Sequence, residues 1–322
     1  MAFGDLNRIN TNIQSMDAQL SLNRINDRMS ENQLKMSTGK RINKAEDDSA
    51  GYSIATKLRS RIGGLNQAMQ NVGDAKSVLS IAESSYNSVM DNLVQMKSLA
   101  TQAANDTLGK EERGYIGDQI EALGKDINKI ADQTVYQDYQ LLNGKVSSGG
   151  TVQNTGSLSM TFQVGERKAD TIKADISAVN VGELFNGGTG TANLGGTAAN
   201  GGTTTSITAS AAGTGGQGSL TFKSTAGAAD FRAFIGKVDS AVSDMAANVN
   251  DIGIKQSSLT VRENTLSQAI SSNQSAKSRI MDTDFAKAKS EQVRLQILQQ
   301  TATSALAQAN NGPQSVLSFV GR

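Results

Sequence analysis

Two adjacent aspartates, Asp47 and Asp48, come nearest to a catalytic arrangement in this chain. Paired carboxylates can share a proton and act as an acid–base dyad. With Ser49, they also suit a helix start, because their side chains accept hydrogen bonds from the first backbone N–H groups. The 322 residues include no Cys and no His, which excludes thiol catalysis, a His base and zinc ligation by either residue type. We therefore expect Asp47 and Asp48 to cap a helix, and we predict no enzyme activity, no cofactor and no metal.

Two weaker candidate sites would bind phosphate or carry a modification on a hydroxyl group. The run Ser37-Thr38-Gly39-Lys40 resembles part of a phosphate loop, but Leu34 stands where the earlier glycine belongs. A Gly- and Thr-rich stretch without charges between Glu183 and Lys223 provides candidate O-glycan acceptors, with a plain solvated loop as the alternative reading. The candidate acceptors are Thr203, Thr204, Thr205, Ser206, Thr208 and Ser210.

The composition limits the class of protein. The formal net charge is +1, from 31 basic and 30 acidic residues, which argues against a nucleic-acid partner. The chain contains no apolar run of about twenty residues and no N-terminal signal pattern, so we expect neither membrane insertion nor a cleaved signal peptide. Trp is absent and aromatic residues make up 4%, which favours slim, closely packed helices over a large globular core.

Heptad patterns identify the elements that organise the chain. One apolar seam recurs every seven residues from Leu58 to Ala100, and a second runs from Phe231 to Leu266. A shorter one runs from Ile116 to Ile130. These seams predict long helices that pack as an antiparallel bundle. Alternating apolar and polar residues at 158–164, 170–176 and 219–223 predict strands. Residues 187–218 carry too few large apolar side chains for a sizeable core, so we expect a surface insertion there.

The two ends of the chain mirror each other. Each has an amphipathic helix, then a joint near residues 39–49 or 278–284, then a long helix. Their apolar stripes are too thin to cover each other, so we expect further copies of the chain to complete them and to form a helical filament. The predicted self-assembly residues are Ile9, Ile13, Met16, Leu20, Leu295, Leu298, Leu306, Val316, Leu317, Phe319 and Val320.

Several motifs resemble bacterial flagellin. They include Ile9-Asn10-Thr11-Asn12, the stretch STGKRINKAEDDSAGYSIATKLRSRIGGLNQAMQNVGDA, and MKSLATQAAND. DQTVYQDYQLLNG, TFQVGERKADTI and the C-terminal SRIMDTDFAKAKSEQVRLQILQQTATSALAQANNGPQSVLSFV continue the resemblance. The match spans all but roughly residues 177–227.

The resemblance implies a mainly α fold, an elongated antiparallel coiled-coil bundle with paired terminal helices, a small β-hairpin region and a short variable surface insertion. It implies an inner domain of 1–43 with 283–322, a helical rod domain of 44–176 with 228–282, and an insertion at 177–227. The implied function is a structural subunit of the flagellar filament in swimming motility. Alternatives are a hook–filament junction protein and, in another class, a chemoreceptor-type helical signalling protein.

The resemblance also implies partners and a location. Besides the homopolymer, these are a flagellar secretion chaperone, the filament cap and the hook-junction proteins. The chain would be exported uncleaved through the flagellar type III channel to the extracellular filament. An innate immune receptor reads a patch that includes the position of Leu99. Here Gln95 and Gln119 replace the Arg and Glu of recognised members, which argues against binding to that receptor.

Overall fold

The computed structural model describes residues 11–143, 145–148, 151–154, 156–186, 191–195, 206–210 and 218–320. Long helices dominate these residues, so the predicted mainly α class is confirmed. The helices are α1 (Ile13–Thr38), α2 (Ser49–Ala103), α3 (Lys110–Gln133), α4 (Val181–Asn186), α5 (Ala228–Met281) and α6 (Phe285–Val320). The strands are β1 (Val135–Tyr136), β2 (Tyr139–Gln140), β3 (Lys145–Ser148), β4 (Thr151–Asn154), β5 (Ser157–Gln163), β6 (Thr171–Ser177), β7 (Thr191–Asn193), β8 (Ile207–Ser210) and β9 (Ser219–Phe222).

The chain divides into two compact units, and helices α2 and α5 contribute residues to both. The terminal unit comprises residues 1–63 and 270–322, and the central unit comprises residues 64–269. The inner domain of 1–43 with 283–322 that the resemblance implies stays a prediction.

The core of the central unit follows the predicted heptads. In α2 the seam is buried from Leu65 to Ala103, and in α5 it is buried from Phe231 to Leu266. Between the heptad positions of α5, Phe234 and Ala241 are completely buried, whereas Ile235 and Val242 are half-buried. Apolar spacing is compatible with burial of either pair of positions. In the structure the apolar face of α5 extends over positions 231, 234, 238, 241 and 245, because the other elements pack on that side.

Small antiparallel sheets connect α3 to α5. Strands β1 and β2 form a tight hairpin whose two turn residues, Gln137 and Asp138, both have positive φ. Such a turn matches the right-handed twist of the flanking strands. Strands β5 and β6 pair from Ser157 opposite Ser177 to Gln163 opposite Thr171, and β9 lies at 219–222. The three strands predicted from alternation are therefore confirmed.

The variable stretch packs more tightly than predicted. Strands β7, β8 and β9 form one sheet, and Leu194, Ile207, Ala209 and Leu220 are buried. The β9 residue Phe222 lies against two phenylalanines of α5. Residues 206–210 thus bury a few apolar side chains, in a stretch where the sequence predicted a surface insertion without a sizeable core. Each strand supplies one or two apolar side chains, and the neighbouring helices supply the rest of the covering surface.

Tyr86 anchors this sheet region to α2. Its hydroxyl donates a hydrogen bond to the Ser177 carbonyl at 2.7 Å, and burial raises the pKa of Tyr86 above its ordinary value. The unfolded state therefore loses its proton first, and the free energy of unfolding should fall as pH rises above about 10.

We expect Tyr86→Phe to lower the free energy of unfolding by about 1 kcal/mol at neutral pH, because one buried hydrogen bond is lost. The difference between wild type and variant should shrink in alkali, because Phe cannot ionise. Denaturant titrations at neutral and alkaline pH measure both effects. The exposed Tyr115 provides the matched control, Tyr115→Phe, which should leave stability unchanged. An undiminished difference in alkali would contradict this account.

Candidate assembly surface

The two joints predicted in the terminal unit pair with each other. Gly39 ends α1 in the left-handed conformation (φ 68°), and its carbonyl accepts a hydrogen bond from the Thr283 N–H at 2.9 Å. The Arg41 N–H donates to the Met281 carbonyl at 2.6 Å, so the two hydrogen bonds flank the bridged residues Lys40 and Asp282. These contacts hold the end of α1 beside the start of α6.

The paired aspartates take structural positions. Asp48 Oδ1 accepts the Gly51 N–H at 2.8 Å, so its predicted role as a helix cap is confirmed. Asp47 instead accepts the N–H groups of Lys44 and Asn43 at 2.9 and 2.8 Å, which closes the turn before α2. The hydrogen bonds from Lys44 and Asn43 lower the pKa of this carboxyl from its ordinary value. Both carboxylates thus accept hydrogen bonds from backbone N–H groups.

Helices α1 and α6 form an antiparallel pair with a thin heptad seam. The seam positions are those buried or half-buried residues that follow a spacing of three and four on each helix. In α1 they are Ser15, Ala18, Leu22, Ile25, Met29, Asn32 and Met36, and in α6 they are Ala288, Gln292, Leu295, Gln299, Ala302, Leu306 and Ala309. Small and polar residues occupy about half of these positions, so the seam buries little apolar surface.

Side-chain amides fix the register of the pair. Near one end, Asn12 Nδ2 donates to the Ala309 carbonyl at 2.8 Å, and in the middle Gln299 Nε2 donates to Asn26 Oδ1 at 2.8 Å. At the other end the buried Asn32 donates through Nδ2 to the Ala288 carbonyl at 2.8 Å. A buried Asn in a helix seam specifies register, because a shifted pairing leaves its amide without a partner.

We expect Asn32→Ala to lower the stability of the α1–α6 pair by about 1–2 kcal/mol, through the lost hydrogen bond and packing. Circular dichroism during thermal unfolding measures the change. Asn23 is exposed on the same helix, so Asn23→Ala is the control and should be neutral or slightly stabilising. Equal effects of the two substitutions would show that Asn32 does not hold the register.

Each helix of the pair carries a second apolar row on its outer side. On α1 the row consists of Ile13, Met16 and Leu20, which we call the α1 outer row. At 100° per residue it lies roughly 160° around the helix from the seam. On α6 the corresponding residues are Val293 and Ile297, the α6 outer row, at roughly 150° from the seam. Among the described residues of the terminal unit, no element covers either row, since all five side chains are exposed.

The structure sorts the predicted assembly residues into three groups. Ile13, Met16, Leu20 and Leu298 are exposed. Leu306 is half-buried in the seam, and Leu295, only 2% exposed, is buried there, so Leu295 is unavailable to another chain. Ile9 and the side chains of Val316, Leu317, Phe319 and Val320 lie outside the described residues. Sequence reasoning missed Val293 and Ile297 as sites, although their spacing of four on the outer side of α6 marks them.

The predicted glycan acceptors differ in their exposure, and some of them lie outside the described residues. Thr203, Thr204 and Thr205 lie outside the described residues. Ser206 is buried, so its hydroxyl is closed to a glycosyl donor in the folded chain. Thr208 and Ser210 are half-buried in β8, where the Ser210 hydroxyl lies 3.0 Å from that of Ser219.

Within the described ranges, acidic side chains do not gather into a group that could hold a metal ion. None of the described helices combines the length and apolar character needed to cross a membrane. The two outer rows remain as exposed apolar features of the terminal unit, and rows of this kind favour a partner.

Comparison with known proteins agrees with the motifs. The model of the bacterial flagellin N-terminal helical region matches residues 9–147, and that of the C-terminal helical region matches residues 235–320. The flagellar filament 33 kDa core protein of Treponema phagedenis is 30% identical over 97% of this chain and 99% of its own length. This chain belongs to the bacterial flagellin family. The family is structural rather than enzymatic, and its members include the filament proteins named here.

Two further flagellin relatives are similar over more than nine tenths of this chain. The flagellin of Halalkalibacterium halodurans is 30% identical, covering 97% of this chain and 99% of the relative. The flagellar filament 41 kDa core protein of Borreliella burgdorferi is 30% identical, covering 91% and 93%. Family membership over nearly the whole chain sets aside the alternative of a chemoreceptor-type signalling protein.

Proposed function

We propose that this flagellin polymerises, through the outer rows of α1 and α6, into the extracellular filament that drives swimming. The observation that carries the proposal is the second apolar row on each terminal helix, opposite the seam that the helices use for each other. Exposed apolar rows are unfavourable for a monomer in water, whereas neighbouring subunits can cover them in a polymer.

The burial available is large enough to drive assembly. Met16 is 62% exposed and Ile297 58% exposed, and the other three outer-row side chains are at least 40% exposed. Covering a side chain of this size contributes about 1.5–3 kcal/mol when burial is complete. Covering the remaining half of five side chains therefore contributes roughly 4–7 kcal/mol per subunit, before the cost of ordering is subtracted.

The placement of the rows suits an open polymer. The α1 outer row lies beside the end of α6 near Ala309, whereas the α6 outer row lies beside α1 between Asn26 and Asn32. The two rows are thus about 12 residues apart along the pair, or roughly 18 Å at the helical rise. Because the two outer rows differ and lie at different positions along the α1–α6 pair, each subunit can contact two different neighbours, as a helical filament requires.

The partners beyond the homopolymer rest on family membership alone. We propose that a secretion chaperone, the filament cap and the hook-junction proteins bind this chain, and that it leaves the cell through the flagellar type III channel without cleavage. Gln95 and Gln119 are exposed and uncharged, and Leu99 is half-buried. Recognition by the innate immune receptor that reads charged side chains there should be weak.

Electron microscopy of the purified chain tests the proposed function. After addition of salt or short filament seeds, we expect helical filaments, and we expect a protease to cut the segments 1–40 and 285–322 in the monomer but not in the filament. The thin seam explains the sensitivity of the monomer, because helices with little buried surface fray. A chain that stays monomeric under every salt condition, with or without seeds, would refute the proposal.

A further inference from the structure

Met16 occupies the middle of the α1 outer row, between Ile13 and Leu20. We propose that Met16 is an oxidation site at which peroxides convert the thioether to a sulfoxide and thereby stop the subunit from assembling. The inference rests on the proposed function, since it requires that the α1 outer row is covered in the filament.

Accessibility singles out Met16 among the methionines. Of those in the described part of the chain, it is the one with an exposed side chain. Met96 and Met245 are completely buried in the central unit. The half-buried ones are Met29, Met36, Met69, Met90, Met160 and Met281. Because oxidation of a thioether requires direct approach of the oxidant, Met16 should react first in the free subunit.

The chemistry needs a peroxide alone. The sulfur lone pair attacks one peroxide oxygen, the O–O bond breaks as the S–O bond forms, and the other oxygen leaves as water after proton transfer. The sulfur loses two electrons and the peroxide gains them. The product is a polar sulfoxide in place of a flexible apolar side chain.

The sulfoxide should be tolerated in the subunit and rejected in the filament. In the subunit the Met16 side chain is largely in water, so the new oxygen is solvated and the seam, on the other side of α1, is undisturbed. In a covered row flanked by Ile13 and Leu20, the same oxygen would need a hydrogen-bond donor that aliphatic side chains cannot supply. Oxidation therefore acts on assembly and not on folding.

The test is brief treatment of wild-type monomer and of Met16→Leu with hydrogen peroxide, followed by peptide mapping, circular dichroism and measurement of the critical concentration for assembly. We expect the peptide that contains Met16 to gain one oxygen atom before any other described methionine. We expect the critical concentration of wild type to rise at least about tenfold with helicity unchanged, because a tenfold change corresponds to about 1.4 kcal/mol. Treated Met16→Leu should assemble like its untreated form, methionine sulfoxide reductase should restore the wild type, and preformed filaments should resist oxidation at Met16.

Three results would overturn the inference while leaving the proposed function intact. These are assembly of wild type that is oxidised at Met16, equal loss of assembly in treated Met16→Leu, and rapid oxidation of Met16 inside filaments. Failure of the untreated wild type to form filaments would overturn both the proposed function and this inference.

Discussion

Leu20→Asp should abolish filament formation while leaving the subunit folded. Leu20 is 49% exposed in the α1 outer row, so a carboxylate there remains in water in the free subunit. In the filament the same carboxylate would be buried against apolar neighbours, and an unpaired buried charge costs several kcal/mol. That cost is comparable to the whole contribution of the outer rows. Electron microscopy and sedimentation measure the loss of assembly, and circular dichroism shows that the helices remain.

Two matched variants separate the position from the charge. Leu20→Met keeps the apolar volume and should assemble normally. Gln19→Asp introduces a carboxylate at the adjacent exposed position, outside the outer row, and should still form filaments. Normal filaments from Leu20→Asp would show that the α1 outer row faces solvent in the polymer.

Phe234→Ala should lower the free energy of unfolding of the central unit by about 3–5 kcal/mol, the usual cost of deleting a buried phenyl ring. Phe234 is 0% exposed, and its ring centroid lies 5.7 Å from that of Phe185 and 5.4 Å from that of Phe222. The ring thus joins α5 to α4 and to β9, and its loss leaves a cavity at their junction. Denaturant titration measures the change in stability.

Phe285→Ala provides the control for Phe234→Ala, because Phe285 is exposed at the start of α6. Its removal should change the free energy of unfolding by less than about 1 kcal/mol. A similarly small effect of Phe234→Ala would mean that the three-stranded sheet does not pack on α5 as the structure shows.

The helices were predictable from the sequence because heptad spacing directly reports one buried face. The seams of α2 and α5 lie where the repeats placed them, and the strands β5, β6 and β9 follow their alternating patterns. The sheet around Ile207 was not predictable, because elements distant in sequence supply most of the side chains that bury its core. Phe222 alone gives no periodic signal, and its partners on α5 lie several residues further along the chain.

The candidate assembly surface was predictable only in part, for a related reason. Periodicity shows that a residue lies on an apolar face, but not whether the same chain or another copy covers that face. Leu295 and Leu298 are three residues apart on α6. One is buried by α1 and the other is exposed, and only the packing of the pair distinguishes them. On α1, residues of the seam and of the outer row alternate along the same stretch of sequence. The position of α6 shows which residues belong to the seam.

Thiol labelling of the outer rows before and after assembly tests the central claim most directly. The chain has no cysteine, so Leu20→Cys and Ile297→Cys each introduce a single reactive site, and Leu295→Cys provides a buried control. We expect a maleimide to label residues 20 and 297 rapidly in the monomer and slowly in the filament, with residue 295 labelled more slowly than either of them in the monomer. Equally rapid labelling of residues 20 and 297 in monomer and filament would contradict the claim that neighbouring subunits cover the outer rows.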